Sequence, residues 1–120
     1  AGHVEVDDYA IIGGCTPVHQ FCKIGKHAMI AANSKIVQDI PPFILVGKHP
    51  AKYSGINSLG LTRRGFSDAE KSDIKKVYRY LFRSDLNQSD ALERIRKEFQ
   101  GSSNIEDILH FYDSSSRGII

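Results

Sequence analysis

The chain has 120 residues, of which 41% are hydrophobic and 25% charged, with a formal net charge of +2. That composition is ordinary for a globular protein and suffices for one compact domain or two small ones. So small a charge does not imply nucleic-acid binding, where a concentrated basic stripe is expected. No apolar run approaches the roughly 18 residues of a membrane span.

No charged segment followed by an apolar stretch opens the chain, as a secretory signal would. Cys15 and Cys22 are too few for a disulfide framework, and their spacing matches no zinc motif. No metal site is expected, and a reducing, cytoplasmic setting is.

The first element in chain order is a ladder. Val6, Ile12, Val18, Ile24, Ile30 and Ile36 recur every six residues. Two residues before each rung stand Val4, Ala10, Thr16, Cys22, Ala28 and Ser34, all small or medium; one after stand Asp7, Gly13, His19, Gly25, Ala31 and Val37. A period of six fits neither a helix nor an isolated strand. It fits a parallel β-helix, in which each hexad supplies a short strand and a corner and three hexads complete a triangular coil. The aliphatics then stack on the axis, and glycine supplies permissive dihedrals at the corners. Val6 to Pro41 predicts two coils. An uncovered end would expose core and unpaired edges, so further coils are expected before Ala1.

Pro41-Pro42 is predicted to end the pairing, because proline lacks an N–H and restricts its predecessor. Phe43–Val46 reads as one more apolar strand, closing the coil region at residues 1–46. Residues 47–65, with Gly47, Pro50, Gly55, Gly60 and Gly65, read as a connecting loop. From 66 to 120 the period is helical. Ser67 and Glu70 form a capping-box pattern before a stripe of Ile74, Val77, Tyr78, Leu81 and Phe82. A second helix is predicted near 88–100, with Ala91, Leu92, Ile95 and Phe99 inward. A third is predicted near 104–114, after a second capping box at Ser103 and Glu106, with Ile105, Ile108, Leu109 and Tyr112 inward. Three such helices must pack together and on the end of the coils to bury their faces.

The ladder suggests the hexapeptide-repeat acyltransferases, and particular segments narrow it. GHVEVDDYAIIGG (2–14), VHQFCKIG (18–25), QDIPPF (38–43), SGIN (54–57), GLTRRGFS (60–67) and SSSRGII (114–120) resemble the bacterial UDP-N-acetylglucosamine 3-O-acyltransferases in order and spacing. The resemblance covers essentially the whole chain as the C-terminal portion of that family. It implies a left-handed parallel β-helix followed by a C-terminal α-helical domain. It also implies a cytoplasmic homotrimer with active sites between subunits, in a Gram-negative bacterium. The implied reaction, which begins lipid A synthesis, moves an (R)-3-hydroxyacyl group from the phosphopantetheine of acyl carrier protein to the 3-hydroxyl of UDP-N-acetylglucosamine. No metal or other cofactor is implied.

A sugar hydroxyl needs a general base, and the oxyanion that develops needs hydrogen-bond donors. The resemblance places the base in an upstream AHD-type motif that these 120 residues do not contain, so no catalytic residue is assigned here. It makes His3, Gly14, His19, Gln20, Asn57 and Arg64 substrate-binding residues, with Gly14 offering a backbone N–H to the acyl carbonyl. It puts Met29, Ala32 and His49 along the acyl-chain groove, and it points Arg63 at the acidic carrier. Lys76 and Arg79, on the basic face of the first helix with Lys71, Lys75 and Arg83, suit carrier docking by complementary charge. Leu59 stands where the family has an acid.

Residue chemistry alone leaves blander readings open. His3 is then an exposed corner histidine, His19 and Gln20 a polar contact between subunits, Gly14 a turn glycine, Met29 packing, and the arginine pair a solvated one. Whole-chain alternatives are the paralogous N-acyltransferase, a non-catalytic trimerisation and binding module, and an acetyltransferase using coenzyme A.

Overall fold

A computed structural model describes residues 1–47 and 50–120. Six strands come first: β1 Glu5–Val6, β2 Ile11–Ile12, β3 Lys23–Ile24, β4 Met29–Ile30, β5 Ile44–Gly47 and β6 Lys52–Ile56. Four helices follow: α1 Ser58–Arg63, α2 Asp68–Phe82, α3 Gln88–Glu98 and α4 Ser103–Ser114. Among the described residues no helix is long and apolar enough to cross a membrane.

Parallel pairing sets each residue beside the one eighteen positions on. Glu5 and Val6 pair with Lys23 and Ile24 on one face. Ile11 and Ile12 pair with Met29 and Ile30 on the second, and Val18 bridges Ile36 on the third. The predicted period of six, three hexads to a coil, is therefore the observed geometry. Ile24, Ile30 and Ile36 have no solvent exposure, whereas Val6 and Ile12, with a coil on one side only, are 50% and 37% exposed.

The corners differ from expectation. Glycine was expected to supply their unusual dihedrals, but the positive-φ residues are His3, Tyr9, Cys15, Phe21, His27 and Asn33, one per hexad, followed by Phe43. Each left-handed non-glycine residue costs about 1 kcal/mol; the ladder hydrogen bonds and ring stacks offset it. Gly13 and Gly25 are needed for close approach instead. A Cβ at Gly13 would lie 2.4 Å from the Ala32 nitrogen, and one at Gly25 would lie 2.5 Å from the Pro42 nitrogen.

Pairing also continues past the prolines rather than stopping at them. Ile40 bridges Ile24, and β5 pairs in parallel with β4, Met29 facing Leu45 and Ile30 facing Val46. These offsets are sixteen, so the last coil is two residues shorter. Pro41 and Pro42 form its corner over Gly25, where no ladder N–H is required of them. The buried Asp39 carboxylate fills the shortened turn, accepting from the Lys23 N–H at 2.8 Å and from the Ser115 hydroxyl. Its backbone N–H donates to the Gly118 carbonyl at 2.7 Å, and this draws the C-terminal tail alongside.

Residues 47–65, read as loop, contain β6 and α1. β6 pairs antiparallel with β5 and ends the stack. Helix α2 packs on β6, α3 and α4. One continuous core runs from Ile24, Ile30 and Val46 through Ile74 and Tyr78 to Ile95 and Ile108, so the helices share it with the coils. The Tyr78 hydroxyl donates to the Pro42 carbonyl at 2.6 Å. The Ser67–Glu70 capping box forms as predicted. At α4 the cap is Ser102 rather than Ser103, its hydroxyl accepting from the Ile105 N–H at 3.4 Å.

The corner residues form vertical columns. His3 stacks on Phe21 with centroids 5.0 Å apart. Tyr9 stacks on His27 at 5.0 Å and His27 on Phe43 at 5.8 Å. Burial first, then the positive charges of Lys26 and Arg64, hold the His27 imidazole below its usual pKa of 6.5.

Two stability predictions follow from this packing. Within these 120 residues Ile30 pairs on both sides and Ile12 on one, so in this chain Ile30→Ala destabilises by about 3 kcal/mol and Ile12→Ala by less than half of that. Urea unfolding of both variants checks the contrast. The depressed His27 pKa means the unfolded chain takes up its proton first as pH falls. Its contribution is complete above about pH 6.5 and is lost as pH falls through the folded pKa. The urea midpoint should therefore drop between neutral pH and pH 5, and His27→Phe, which keeps a ring in the column, should flatten that slope.

Candidate functional site

An assembly of aromatic, amide and guanidinium groups sits on the corner between the first and second faces. Tyr9 from the first coil, His27 from the second and Phe43 from the third make its wall, and Phe66 meets His27 edge-on at 5.1 Å. Asn57 is buried and does two jobs. Its Nδ2 donates to the His27 carbonyl at 3.0 Å, and its Oδ1 caps α1 by accepting from the Gly60 N–H at 3.3 Å. Gly60 is required there, because a Cβ would come 2.4 Å from the Asn57 amide nitrogen.

Helix α1 then ends at Arg63 and delivers Arg64 as its C-cap. The Arg64 guanidinium lies over the Tyr9 ring, its carbon 4.1 Å from the centroid. Arg63 and Arg64 together line a cleft of about 390 Å³ with Tyr9, His27, Asn57 and Gly60. Two guanidinium groups with planar N–H forks, that of Arg64 over the Tyr9 ring, suit an anionic ligand bearing phosphates.

The second face, beside this cleft, carries an apolar groove of about 220 Å³. Met29, Ala31, Leu45, Gly47 and Ser54 line it. Met29 is 40% exposed on β4, consistent with a groove wall rather than core. Ala32 does not line this groove: its backbone covers Gly13 at the corner, and Ala31 supplies the wall at that level. His49 lies outside the described residues.

His3, His19 and Gln20 gather on a different edge, around the exposed ring of Phe21. The Phe21 N–H donates to the Gly2 carbonyl at 3.2 Å, and His19 Nδ1 lies 3.0 Å from the Gln20 carbonyl. Gly14 is on the third edge, where its carbonyl accepts from the Asn33 N–H at 3.0 Å. Within one chain, then, the expected substrate-binding residues divide among three edges. Asn57 and Arg64 meet in one cleft, together with Arg63, which was expected at the carrier, and His3, His19 and Gln20 meet elsewhere.

The basic face of α2 divides too. Lys76 turns to α3, 3.6 Å from the Glu98 carboxylate and over the Phe99 ring. Lys71, Lys75 and Arg83 instead line a cleft of about 570 Å³ against Ser54, Gly55 and Ile56. Arg79 is exposed beside this group.

Tyr9 and His27 were missed as site residues. The signal was present in the column three before each rung, which reads His3, Tyr9, Cys15, Phe21, His27 and Asn33.

The comparisons with known proteins agree with one another. The family model for UDP N-acetylglucosamine O-acyltransferase, domain 2, matches residues 39–120. The acyl-[acyl-carrier-protein]–UDP-N-acetylglucosamine O-acyltransferase of Thiobacillus denitrificans is 42% identical over 120 residues, all of this chain and 46% of that protein. That of Burkholderia lata is 42% identical over 124 residues. The crystal structure of the UDP-N-acetylglucosamine acyltransferase from Bacteroides fragilis superposes with a TM-score of 0.94 at 44% identity, over 98% of this chain and 46% of that one. The Francisella novicida enzyme gives 0.95 at 40% identity, over 100% and 44%. The chain thus spans about half the length of the relatives it matches. It belongs to the UDP-N-acetylglucosamine O-acyltransferase family.

Proposed function

We propose that this chain is the sugar-nucleotide-binding and carrier-binding part of an acyltransferase that moves an (R)-3-hydroxyacyl group from acyl carrier protein to the 3-hydroxyl of UDP-N-acetylglucosamine. The observation that carries this reading is the cleft that Arg63 lines and in which Arg64 stands over Tyr9, beside an apolar groove on the same side of the coils. One ligand of that acceptor class is anionic at its diphosphate, and the acyl donor is apolar along its chain.

In this scheme Arg64 takes the diphosphate, and Arg63, beside it in the cleft, faces the carrier. Asn57 holds the cleft wall through His27, while Leu59 leaves one polar nucleotide contact of the family unfilled. Met29 and Ala31 line the path of the acyl chain. The sugar O3 attacks the thioester carbonyl, its proton passing to a general base. The C–O bond forms, the C–S bond breaks, and the pantetheine thiolate leaves and takes up a proton. The thioester supplies its own leaving group, so the scheme uses no cofactor. The developing oxyanion needs a donor, a role assigned to the Gly14 backbone N–H. The base is assigned to a histidine in the AHD-type motif of the family, outside these residues.

His3, His19 and Gln20 stand on another edge of the same chain, so they serve a site completed across subunits. This supports a homotrimer, in which one subunit's His3 edge faces its neighbour's Arg64 cleft and apolar groove. The coils are left-handed in this proposal, against the right-handed preference of ordinary crossovers. The high structural similarity to the Bacteroides and Francisella enzymes supports that hand. Carrier docking falls to Arg63 and, on α2, to Lys75, Lys76, Arg79 and Arg83, with Lys76 half-exposed beside Glu98 and Lys71 held inward by Asp68 and Thr62. In this reading the protein works in the cytoplasm of a Gram-negative bacterium.

Titrating UDP-N-acetylglucosamine into the 120-residue chain tests the reading. Binding should perturb the amide resonances of Tyr9, Asn57 and Arg64, and Arg64→Ala should weaken it by at least ten-fold, on the order of one charge-assisted hydrogen bond. Unperturbed resonances at the cleft would refute it. Carrier affinity should fall as salt is raised and fall again with Arg79→Glu; indifference to both removes α2 as the docking face. Acyl transfer by these 120 residues alone should be undetectable, and turnover would contradict the assignment of the base.

A further inference from the structure

We propose that Tyr9 is a positioning residue for Arg64, holding the guanidinium flat on the corner column so that its N–H edge faces the cleft. This rests on the reading of the cleft as a diphosphate site. The Arg64 backbone is fixed at the end of α1, where its N–H donates to the Gly60 carbonyl at 3.2 Å and the Leu61 carbonyl at 3.1 Å. Its side chain is not fixed by that bond. Among the described residues no carboxylate lies within ion-pair distance of it. Its partner is the Tyr9 ring, 4.1 Å from the guanidinium carbon.

The ring is well placed to hold it. Tyr9 takes the left-handed corner, φ 61°, which points its side chain out along the edge of the prism. His27 backs the ring at 5.0 Å, Phe43 backs His27 at 5.8 Å, and Phe66 closes edge-on at 5.1 Å from His27 and 5.8 Å from Phe43. A guanidinium stacked by its face keeps all its in-plane donors, and these are the ones that grip a phosphate in pairs. A carboxylate partner would instead consume those donors. Stacking therefore orients the group without spending its ligand-binding capacity, and it removes rotamer freedom before the ligand arrives. His27 must stay neutral for this to hold, because an imidazolium one ring below would repel Arg64; its depressed pKa agrees.

The test uses the 120-residue chain with UDP as the probe, read by calorimetry and by the Arg64 Nε–Hε resonance. In the wild type that resonance should carry a ring-current shift. Tyr9→Phe should keep the shift and bind UDP within two-fold. Tyr9→Leu should lose the shift and weaken binding about three- to ten-fold, the scale of a partly exposed cation–π contact. In an Arg64→Ala background Tyr9→Leu should have no further effect. Weakening by Arg64→Ala without weakening by Tyr9→Leu overturns the proposal and leaves the diphosphate site standing. An equal loss in both backgrounds also overturns it, by making Tyr9 merely structural. An Arg64 resonance at its unshifted position in the wild type overturns it even if Tyr9→Leu does not fold. UDP binding that is absent in the wild type, or unchanged by Arg64→Ala, removes the diphosphate reading itself.

Discussion

The backbone hydrogen bonds that run from one coil to the next place every other feature of this protein. Glu5 N–H reaches the Cys22 carbonyl at 3.1 Å, Ile11 N–H the Ala28 carbonyl at 2.8 Å and His19 N–H the Ile36 carbonyl at 2.8 Å, one on each face. With that register set, Ile12, Ile30 and Val46 superimpose on one side of the axis, and Val6, Ile24 and Ile40 on another. The same register superimposes the corners. Tyr9, His27 and Phe43 come from three separate coils, yet they form one column because each occupies the left-handed position of its turn. A slip of one residue would turn every rung outward and scatter the column.

The end of the stack converts this column into a site. Shortening the last coil by two residues brings Phe43 over His27 and aims β5 and β6 toward the helices. Asn57 then ties α1 back to the His27 carbonyl, so the helix carrying Arg63 and Arg64 is referenced to the coils by a buried amide rather than by a flexible loop. The helical region adds its own anchor through Tyr78, whose hydroxyl bonds the Pro42 carbonyl. Side chains on loops between such anchors are held with little freedom, which suits recognition of a rigid polar group. The apolar groove beside them is built from the same strands, Met29 on β4 and Leu45 on β5.

Much of this was legible in the sequence for identifiable reasons. An axis of fixed width accepts only similar aliphatics, so Val6 through Ile36 repeat visibly. The capping box at Ser67 and the stripe of Ile74, Val77 and Tyr78 fix α2 by local chemistry. The corner column was not legible in the same way. Tyrosine, cysteine and phenylalanine have no preference for left-handed dihedrals; of the six ladder corners only His3, His27 and Asn33 belong to types enriched there. The two-residue shortening before Ile40 was hidden because prolines read as stop signals, whereas here they serve a corner that needs no N–H. Helix α1 was hidden by its brevity and its internal Gly60. At α4, adjacent serines made the cap ambiguous by one residue. Arg64 was found through its motif, but its partner Tyr9 lies 55 residues earlier, and only the fold brings them together.

The inter-coil register is most directly measured by nuclear Overhauser contacts between backbone protons of neighbouring strands. The structure predicts cross-strand contacts pairing Val6 with Ile24, Ile12 with Ile30 and Val18 with Ile36, and then, after the shortened turn, Ile24 with Ile40 and Ile30 with Val46. Medium-range helical contacts through residues 5–36, or contacts between these coil strands at any other spacing, would contradict it and dissolve the corner column with it.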